Sequence, residues 1–475
     1  MKKLFLVLAS VVLSLIMLFT GCSLTGKDGI DGRDGKDGQN VTIEDIYNKY
    51  VSEHGEISFE DFLKEYLNYS DKELEDAISL RASINRSLMS GVTVLVRFSY
   101  TGNQSSIFGK QTGYKVYSGS GAILWLDKEA GDAYVVTNCH VVYDDSSDST
   151  YSIDIRLYLY GQDVNGVNYV IKRPTLSTYE ITGDENYRIP AEIVGASVSY
   201  DIALLKVTGS SVLKRSDAVA VSNKEDVVEA LNDSFVQDYS STVGETVYAI
   251  GNPSNEGTSA STGIISKDSE YIDVSLSESN SMSTTRYRVL RTTAPINHGN
   301  SGGALYNTSG KIVAIVNAKD DAEDVDNMGY ALPANNVRRL LVSMYENRNK
   351  TIASSNGKPY GISKAFLNIT TTVSDSYARL NEEGIAVIYE TVRVNSIEGL
   401  PAENILQVND VLVSAKLTSS EGNEKEDLKI TRNYALSEML ISVREGDTLC
   451  LTVERDKAEI QLTIEFTGGF FKYFE

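Results

Sequence analysis

Three short segments carry side chains whose types and order suit the breaking of a carbonyl bond. The first is Ala294-Pro295-Ile296-Asn297-His298-Gly299-Asn300-Ser301-Gly302-Gly303-Ala304-Leu305. A serine between glycines, followed by an apolar run, suits a nucleophile on a tight turn. Backbone without Cβ bulk can turn sharply there and let a substrate carbonyl approach N–H groups. Alone, such a loop is most often only a turn. The second segment, Thr137-Asn138-Cys139-His140-Val141-Val142, offers an imidazole base. The third, Asp201-Ile202-Ala203-Leu204-Leu205-Lys206-Val207, offers a carboxylate to orient it. Ser301, His140 and Asp201 are the set that nucleophilic acyl transfer needs. The histidines are His54, His140 and His298. None follows Ser301, which excludes the Ser–Asp–His order of enzymes whose nucleophile elbow has the same Gly-x-Ser-x-Gly form.

Residues so far apart in sequence need a scaffold to meet. From Val92 onward the chain has short β-branched and aromatic runs: Val92–Val96, Ser118–Leu126, Tyr134–Val136, Tyr151–Leu159 and Thr246–Ile250. Gly, Asn, Asp and Ser turns separate them, a pattern that predicts a β-sandwich or barrel. Asn336 to Arg348 reads as a closing helix, with Val337, Leu340, Leu341 and Met344 on one face.

The three segments, in this order, resemble the trypsin-like serine proteases, and most closely their high-temperature-requirement (Do-like) branch. That branch shows a Thr-Asn-x-His-Val block, an Asp-apolar-Ala-apolar-Leu block and a Gly-Asn-Ser-Gly-Gly block. Gly119-Ser120-Gly121-Ala122-Ile123, Ala249-Ile250-Gly251-Asn252-Pro253 and Thr262-Gly263-Ile264-Ile265-Ser266 resemble further landmarks. The resemblance implies a mainly β fold with a chymotrypsin-like double β-barrel. It implies Ser301 as nucleophile, His140 as base, Asp201 as its orienting partner, and the N–H groups of Gly299 and Ser301 as an oxyanion hole. It also implies protein or peptide substrates, unfolded or misfolded ones in particular, and a homotrimer.

Further on, Pro359-Tyr360-Gly361-Ile362 resembles the carboxylate-binding loop of PDZ domains. Leu400-Pro401-Ala402-Glu403, Leu406–Leu412 and Val443–Asp447 resemble later PDZ landmarks. On this likeness Tyr360, Gly361 and Ile362 would hold a peptide's C-terminus. The peptide would add as a strand after Ile362, against a helix at Asn433–Ser442 and its Leu436 and Leu440. The plainer reading is a small β-rich domain with no peptide role.

The N-terminal end reads as a targeting segment. Lys2 and Lys3 precede an apolar run from Leu4 to Phe19, then Thr20-Gly21-Cys22. This is the pattern of a secretory signal, and Gly21-Cys22 resembles a bacterial lipobox in which Cys22 becomes acylated. A run of this length also suits an uncleaved anchor, but the small-residue break favours cleavage. Either way the body would lie outside the cytoplasm on a membrane. Residues 26–40 follow a Gly-X-Y period without proline and read as a polar spacer reaching about 45 Å if extended. Thr42 and Ser58 then cap two amphipathic segments, with Ile43, Ile46, Tyr47, Tyr50 and Val51 on one and Phe59, Phe62, Leu63, Tyr66 and Leu67 on the other. Ser70-Asp71-Lys72-Glu73 starts a third as a capping box. The organisation expected is a signal peptide at 1–21, a lipid-anchored spacer at 22–40 and a helical module at 41–90. The protease domain follows at 91–350, a linker at 351–357, a PDZ-like domain at 358–467 and a tail at 468–475.

The totals agree with this organisation. At 475 residues the chain is long enough for several cores. A net charge of −21 argues against nucleic-acid partners. The cysteines, Cys22, Cys139 and Cys450, do not form a disulfide framework. No metal or nucleotide motif occurs, so neither metal nor cofactor is expected. Cys139 reads as a small buried apolar residue rather than a second nucleophile. His298 reads as a solvent-facing position. The run Asp320-Asp321-Ala322-Glu323-Asp324-Val325-Asp326 reads as a solvated loop, or as an attractor of basic residues near the scissile bond. The rival to an enzyme is a chaperone-like or peptide-binding lipoprotein whose triad is inert.

Overall fold

The structure is a computed structural model that describes residues 47, 50–52, 62, 71–101, 112–143, 151–162, 186–236, 243–275, 284–319, 328–349, 362–382, 384–398 and 405–474. The signal run, Cys22, the Gly-X-Y spacer, the acidic run at 320–326, Tyr360, Gly361 and the Leu400–Glu403 landmark lie outside the described residues. Among the described residues no helix is long and apolar enough to cross a membrane.

Two compact units divide at Asn85 and Arg86. In the first, Tyr47 and Tyr50 each place their ring centroid 5.2 Å from that of Phe62, which is fully buried. These rings belong to the two amphipathic faces expected from the sequence. Helix α1 (Asp71–Ser90) follows and leads directly into the first strand.

The second unit opens with a closed barrel of six strands: β1 (Gly91–Thr101), β2 (Thr112–Asp127), β3 (Asp132–Thr137), β4 (Tyr151–Leu159), β5 (Ile189–Ser197) and β6 (Ile202–Val207), joined in the order β1-β2-β3-β6-β5-β4. In β1 the alternate residues Val92, Val94, Val96 and Phe98 face inward and are buried, because successive strand side chains point to opposite faces. Each such side chain contributes about 1.5–3 kcal/mol on burial.

The helical turn α2 (Cys139–Val142) follows β3, and two short helices, α3 (Ser211–Arg215) and α4 (Val227–Asp233), connect to the second barrel. That barrel comprises β7 (Thr246–Gly251), β8 (Ser259–Ser275), β9 (Thr284–Thr292), β10 (Ala304–Asn307), β11 (Ile312–Lys319) and β12 (Gly329–Pro333), closed in the order β10-β11-β12-β9-β8-β7. Its interior holds Val247, Ile265, Leu290, Leu305, Val313, Val316 and Ala331. Helix α5 (Ala334–Glu346) ends this part and buries Val337, Leu340, Leu341 and Met344, the expected face.

The C-terminal part is a third sheet with its own core. It contains β14 (Ile369–Leu380), β15 (Ala386–Ile397), β16 (Val411–Thr418), β18 (Thr448–Arg455) and β19 (Ala458–Glu465) in that order, with β17 (Glu424–Lys429) paired to β16. Leu436 and Leu440, on and just after helix α6 (Ala435–Met439), belong to this core. The observed architecture is therefore mainly β, two closed barrels followed by an α+β domain.

The edge beside Ile362 differs from expectation. Strand β13 (Ile362–Ala365) pairs antiparallel with β20 (Phe471–Phe474), Ile362 opposite Phe474. Phe471–Phe474, in the stretch where the sequence predicts only a tail, thus covers one edge of β13. Strand β14 ends the sheet order, and just before it Asn368 takes a positive φ of 53°.

Candidate active site

The pairing of β3 with β6 places Thr137 opposite Ala203. The turn carrying His140 therefore emerges beside Asp201, the residue that precedes β6. Asp201 is fully buried and has a φ of +50°. Its Oδ1 accepts the backbone N–H of His140 at 2.8 Å, and its Oδ2 lies 2.7 Å from His140 Nδ1. Asn138 Nδ2 donates to the Asp201 carbonyl at 2.8 Å. A carboxylate only accepts, so Nδ1 carries the proton and Nε2 is left as the basic nitrogen. The His140 side chain is 32% exposed, open enough to meet a substrate. Burial works against its charged form, but the charge and hydrogen bond of Asp201 outweigh that and raise its pKa above the ordinary imidazole value.

Ser301 lies on the turn before β10. Gly302 N–H donates to the Val316 carbonyl at 2.9 Å and Gly303 N–H to the Asn300 carbonyl at 2.9 Å, which fixes the turn. Gly302 has a φ of +84°, and a Cβ there would come within 2.3 Å of both the Ser120 carbonyl oxygen and Thr137 Oγ1. Only glycine suits this position. Ser301 Oγ donates to the Asn317 carbonyl at 3.0 Å. Among the described hydrogen bonds none joins Ser301 Oγ to His140; the hydroxyl's proton goes to the Asn317 carbonyl.

The loop before Ser301 is pinned from both sides. The His298 carbonyl accepts from Ser254 N–H at 2.7 Å. In a trans peptide the C=O and N–H point in opposite directions, so the Gly299 N–H is turned away from Ser254. Neither Gly299 N–H nor Ser301 N–H has an acceptor among the described residues. Such paired free donors are what a developing oxyanion needs. Ser120, from the first barrel, adds three bonds to this region: its N–H donates to the Ser301 carbonyl at 2.8 Å, its Oγ donates to the Gly299 carbonyl at 2.7 Å and accepts Asn252 N–H at 2.8 Å.

All four expected site residues of the barrels, His140, Asp201, Gly299 and Ser301, thus gather where the two barrels meet. Of the residues expected to hold a peptide end, Tyr360 and Gly361 lie outside the described residues, and Ile362 opens β13. Cys139 is buried, and burial followed by the Asp201 charge pushes its thiol pKa well up, so it stays a protonated, packed residue. Among the described residues no group of side chains could hold a metal ion.

Two residues of the site escaped the sequence reading. Ser120 sits in a Gly-Ser-Gly that the sequence marks only as a family landmark, with no role attached. Asn317 donates from Nδ2 to Asp201 Oδ2 at 2.5 Å while its carbonyl holds Ser301. A lone amide ending the apolar run Ile312-Val313-Ala314-Ile315-Val316 was the available signal.

Two closed barrels with a serine turn, an imidazole and a buried carboxylate at their junction define a serine hydrolase of the chymotrypsin-like class. A family model for a trypsin-like peptidase domain matches residues 119–315. Serine protease Do-like HtrA of Bacillus subtilis (strain 168) is 27% identical over 375 residues, covering 76% of this chain and 67% of that one. Serine protease Do-like HtrA of Lactococcus lactis subsp. lactis (strain IL1403) is 27% identical over 399 residues, 80% of each. Among solved structures, an HtrA-type protease AlgW with decapeptide aligns over 82% of this chain and 98% of its own, at 17% identity and a TM-score of 0.45. The chain carries a trypsin-like peptidase domain, is similar to the Do-like HtrA serine proteases, and its activity is that of a serine endopeptidase.

Proposed function

We propose that Ser301, His140 and Asp201 are the triad through which this endopeptidase cleaves proteins outside the cytoplasm, at a membrane to which Cys22 tethers it. The observation that carries the triad is the double grip of Asp201 on His140, at the backbone N–H and at Nδ1. On substrate binding, the Ser301 side chain turns from the Asn317 carbonyl toward His140 Nε2. Oγ bonds to the scissile carbonyl carbon as its proton passes to Nε2, and the oxyanion is met by the N–H groups of Gly299 and Ser301. The imidazolium, stabilised by Asp201, returns that proton to the leaving amine as the C–N bond breaks. Water then repeats the sequence on the acyl-enzyme and frees Ser301. Losing one oxyanion donor in such a site costs about 3 kcal/mol.

The family likeness supports unfolded or misfolded proteins as substrates and a homotrimer as the assembly. In the C-terminal domain, the PDZ likeness supports capture of a peptide's C-terminus by Tyr360, Gly361 and Ile362, with the peptide added as a strand along the edge of β13 that β20 does not occupy. Titration with peptides bearing free or amidated C-termini tests this role, and equal binding to both removes it. For the anchor, Cys22→Ala should abolish the acyl mass and detergent partitioning. An unchanged mass and membrane yield would instead mean an uncleaved anchor.

The decisive test of the triad is labelling by a serine-reactive fluorophosphonate together with casein cleavage. The parent chain should label at Ser301, and Ser301→Ala and His140→Ala should lose cleavage while keeping their folded melting profile. Full residual cleavage by Ser301→Ala would sink the triad. A parent chain that neither labels nor cleaves would favour the inert, chaperone-like alternative.

A further inference from the structure

We propose that Tyr287 is a positioning residue of the active site, one that fixes the orientation of the Asn317 amide and through it the Asp201–His140 pair. The proposal rests on the triad reading above. Tyr287 lies on β9 and Asn317 on β11, with β12 between them in the barrel order. The ladder between β11 and β12 slips between Val316 and Ala318, so Asn317 occupies the irregular position. A bulge of this kind re-aims a side chain and frees backbone groups from the ladder. Here the Asn317 carbonyl receives Ser301 Oγ, and its side chain reaches Asp201.

An amide has one end that donates and one that accepts, and it can sit either way round. The Asp201 carboxylate accepts only, so Asn317 must present Nδ2 to it. That leaves Oδ1 pointing the other way, in a position with 3% residue exposure. Tyr287 OH lies 3.0 Å from this Oδ1 and must donate to it. The phenol is itself buried, and burial followed by the nearby Asp201 charge pushes its pKa far up, so the proton needed for that bond is held. The hydrogen bonds therefore run in one direction: Tyr287 to Asn317, Asn317 to Asp201, with His140 bonding the same Oδ2 from its other side. Without the hydroxyl, Oδ1 is a buried acceptor with no donor from this side. The reversed amide, which sets Oδ1 against Oδ2, then competes with the working one. Asp201 loses a donor in that state, and its carboxylate charge draws the His140 proton more strongly.

Tyr287→Phe tests this with almost no change of shape. The readout is the rate of fluorophosphonate labelling of Ser301 against pH in the full chain, alongside kcat and KM for a short peptide. We expect labelling and kcat to fall about tenfold, as for loss of one hydrogen bond at the transition state, with KM unchanged and the acid limb moved to higher pH. Asn317→Ala should move the limb the same way, and adding Tyr287→Phe to it should change nothing further. A Tyr287→Phe chain with parental rate and limb, or one only less heat-stable, overturns the proposal and leaves the triad intact. A parent chain that does not label at Ser301 overturns both, and the two failures are told apart by the parent's own trace.

Discussion

Glu438 of α6 forms a buried ion pair with Arg288 of β9, so the C-terminal domain is fastened to the second barrel through two opposite charges removed from water. Both side chains are 5% exposed. Arg288 Nε and Nη2 donate to Oε1 and Oε2 of Glu438 at 2.5 and 3.0 Å, and Asn336 Nδ2 adds a bond to Oε1 at 3.0 Å. If Glu438 is replaced by alanine, the guanidinium keeps only the Tyr434 ring at 3.8 Å and the Asp268 carbonyl at 3.3 Å among its described partners. Breaking a buried pair from one side costs about 3–5 kcal/mol, because the remaining charge stays desolvated. The paired replacement Arg288→Met with Glu438→Leu should cost much less, since it leaves no buried charge. An exposed pair such as Arg444–Glu346, 26% and 44% exposed, sets the contrast at about 0–1 kcal/mol. Urea unfolding of the single and double variants, with hydrogen exchange at the β9 and α6 amides, measures the difference. A Glu438→Ala cost below about 1 kcal/mol, or equal costs for single and double variants, would refute the reasoning.

Further outcomes follow from the site. His140 has a raised pKa, so the acid limb of kcat/KM should have its midpoint above the usual imidazole value of about 6.5. Asp201→Asn should lower that midpoint and cost about 10⁴ in kcat by favouring the wrong tautomer, which a pH–rate profile reads directly. By linkage the same pair stabilises the fold fully below the unfolded imidazole pKa and progressively less as pH rises through the raised folded one. Gly302→Ala must place its Cβ 2.3 Å from the Ser120 carbonyl oxygen at a φ of +84°. It should destabilise by more than about 1 kcal/mol and lower activity, and an unchanged melting temperature and rate would contradict the geometry.

The barrels were legible because local signals and long-range geometry agree there. Strand alternation in Val92–Phe98 marks an inward face wherever the strand ends up, and the motifs around His140, Asp201 and Ser301 lie at strand ends that the ladders bring together. What escaped were residues whose role exists only through contact. Ser120 looks like any serine between glycines until the first barrel docks its N–H on the Ser301 carbonyl. Tyr287, in a sequence with 28 tyrosines, has no local mark that sets it apart. The β13–β20 pairing was equally hidden, because Phe471–Phe474 lies just after Gly468-Gly469-Phe470 and reads as a loose end unless its partner strand is known. The ion pairs between the C-terminal domain and the second barrel follow the same logic: Arg288 and Glu438 are ordinary surface residue types until two domains bury them.

Tyr287 and Arg288 are consecutive on β9, and consecutive strand residues face opposite ways. One side chain reaches Asn317; the other reaches Glu438 and the C-terminal domain. At these two positions β9 pairs with β8, through Tyr287 opposite Ile272 and Arg288 opposite Tyr271, whereas its described pairing with β12 begins only at Leu290. The ladder thus holds this part of β9 from one side, and the Arg288–Glu438 pair adds a fastening outside the ladder. Releasing Arg288 removes that fastening from the backbone that places the Tyr287 hydroxyl, without touching any substrate-facing group. The expected signature is a shift of the acid limb and of kcat, not of KM. Glu438→Ala, assayed on a short peptide at a temperature where it remains folded, should therefore move the limb in the same direction as Tyr287→Phe, and by less. A limb that stays at its parental pH would mean that β8 alone holds Tyr287 in place and that the C-terminal domain contributes to stability without reaching the triad.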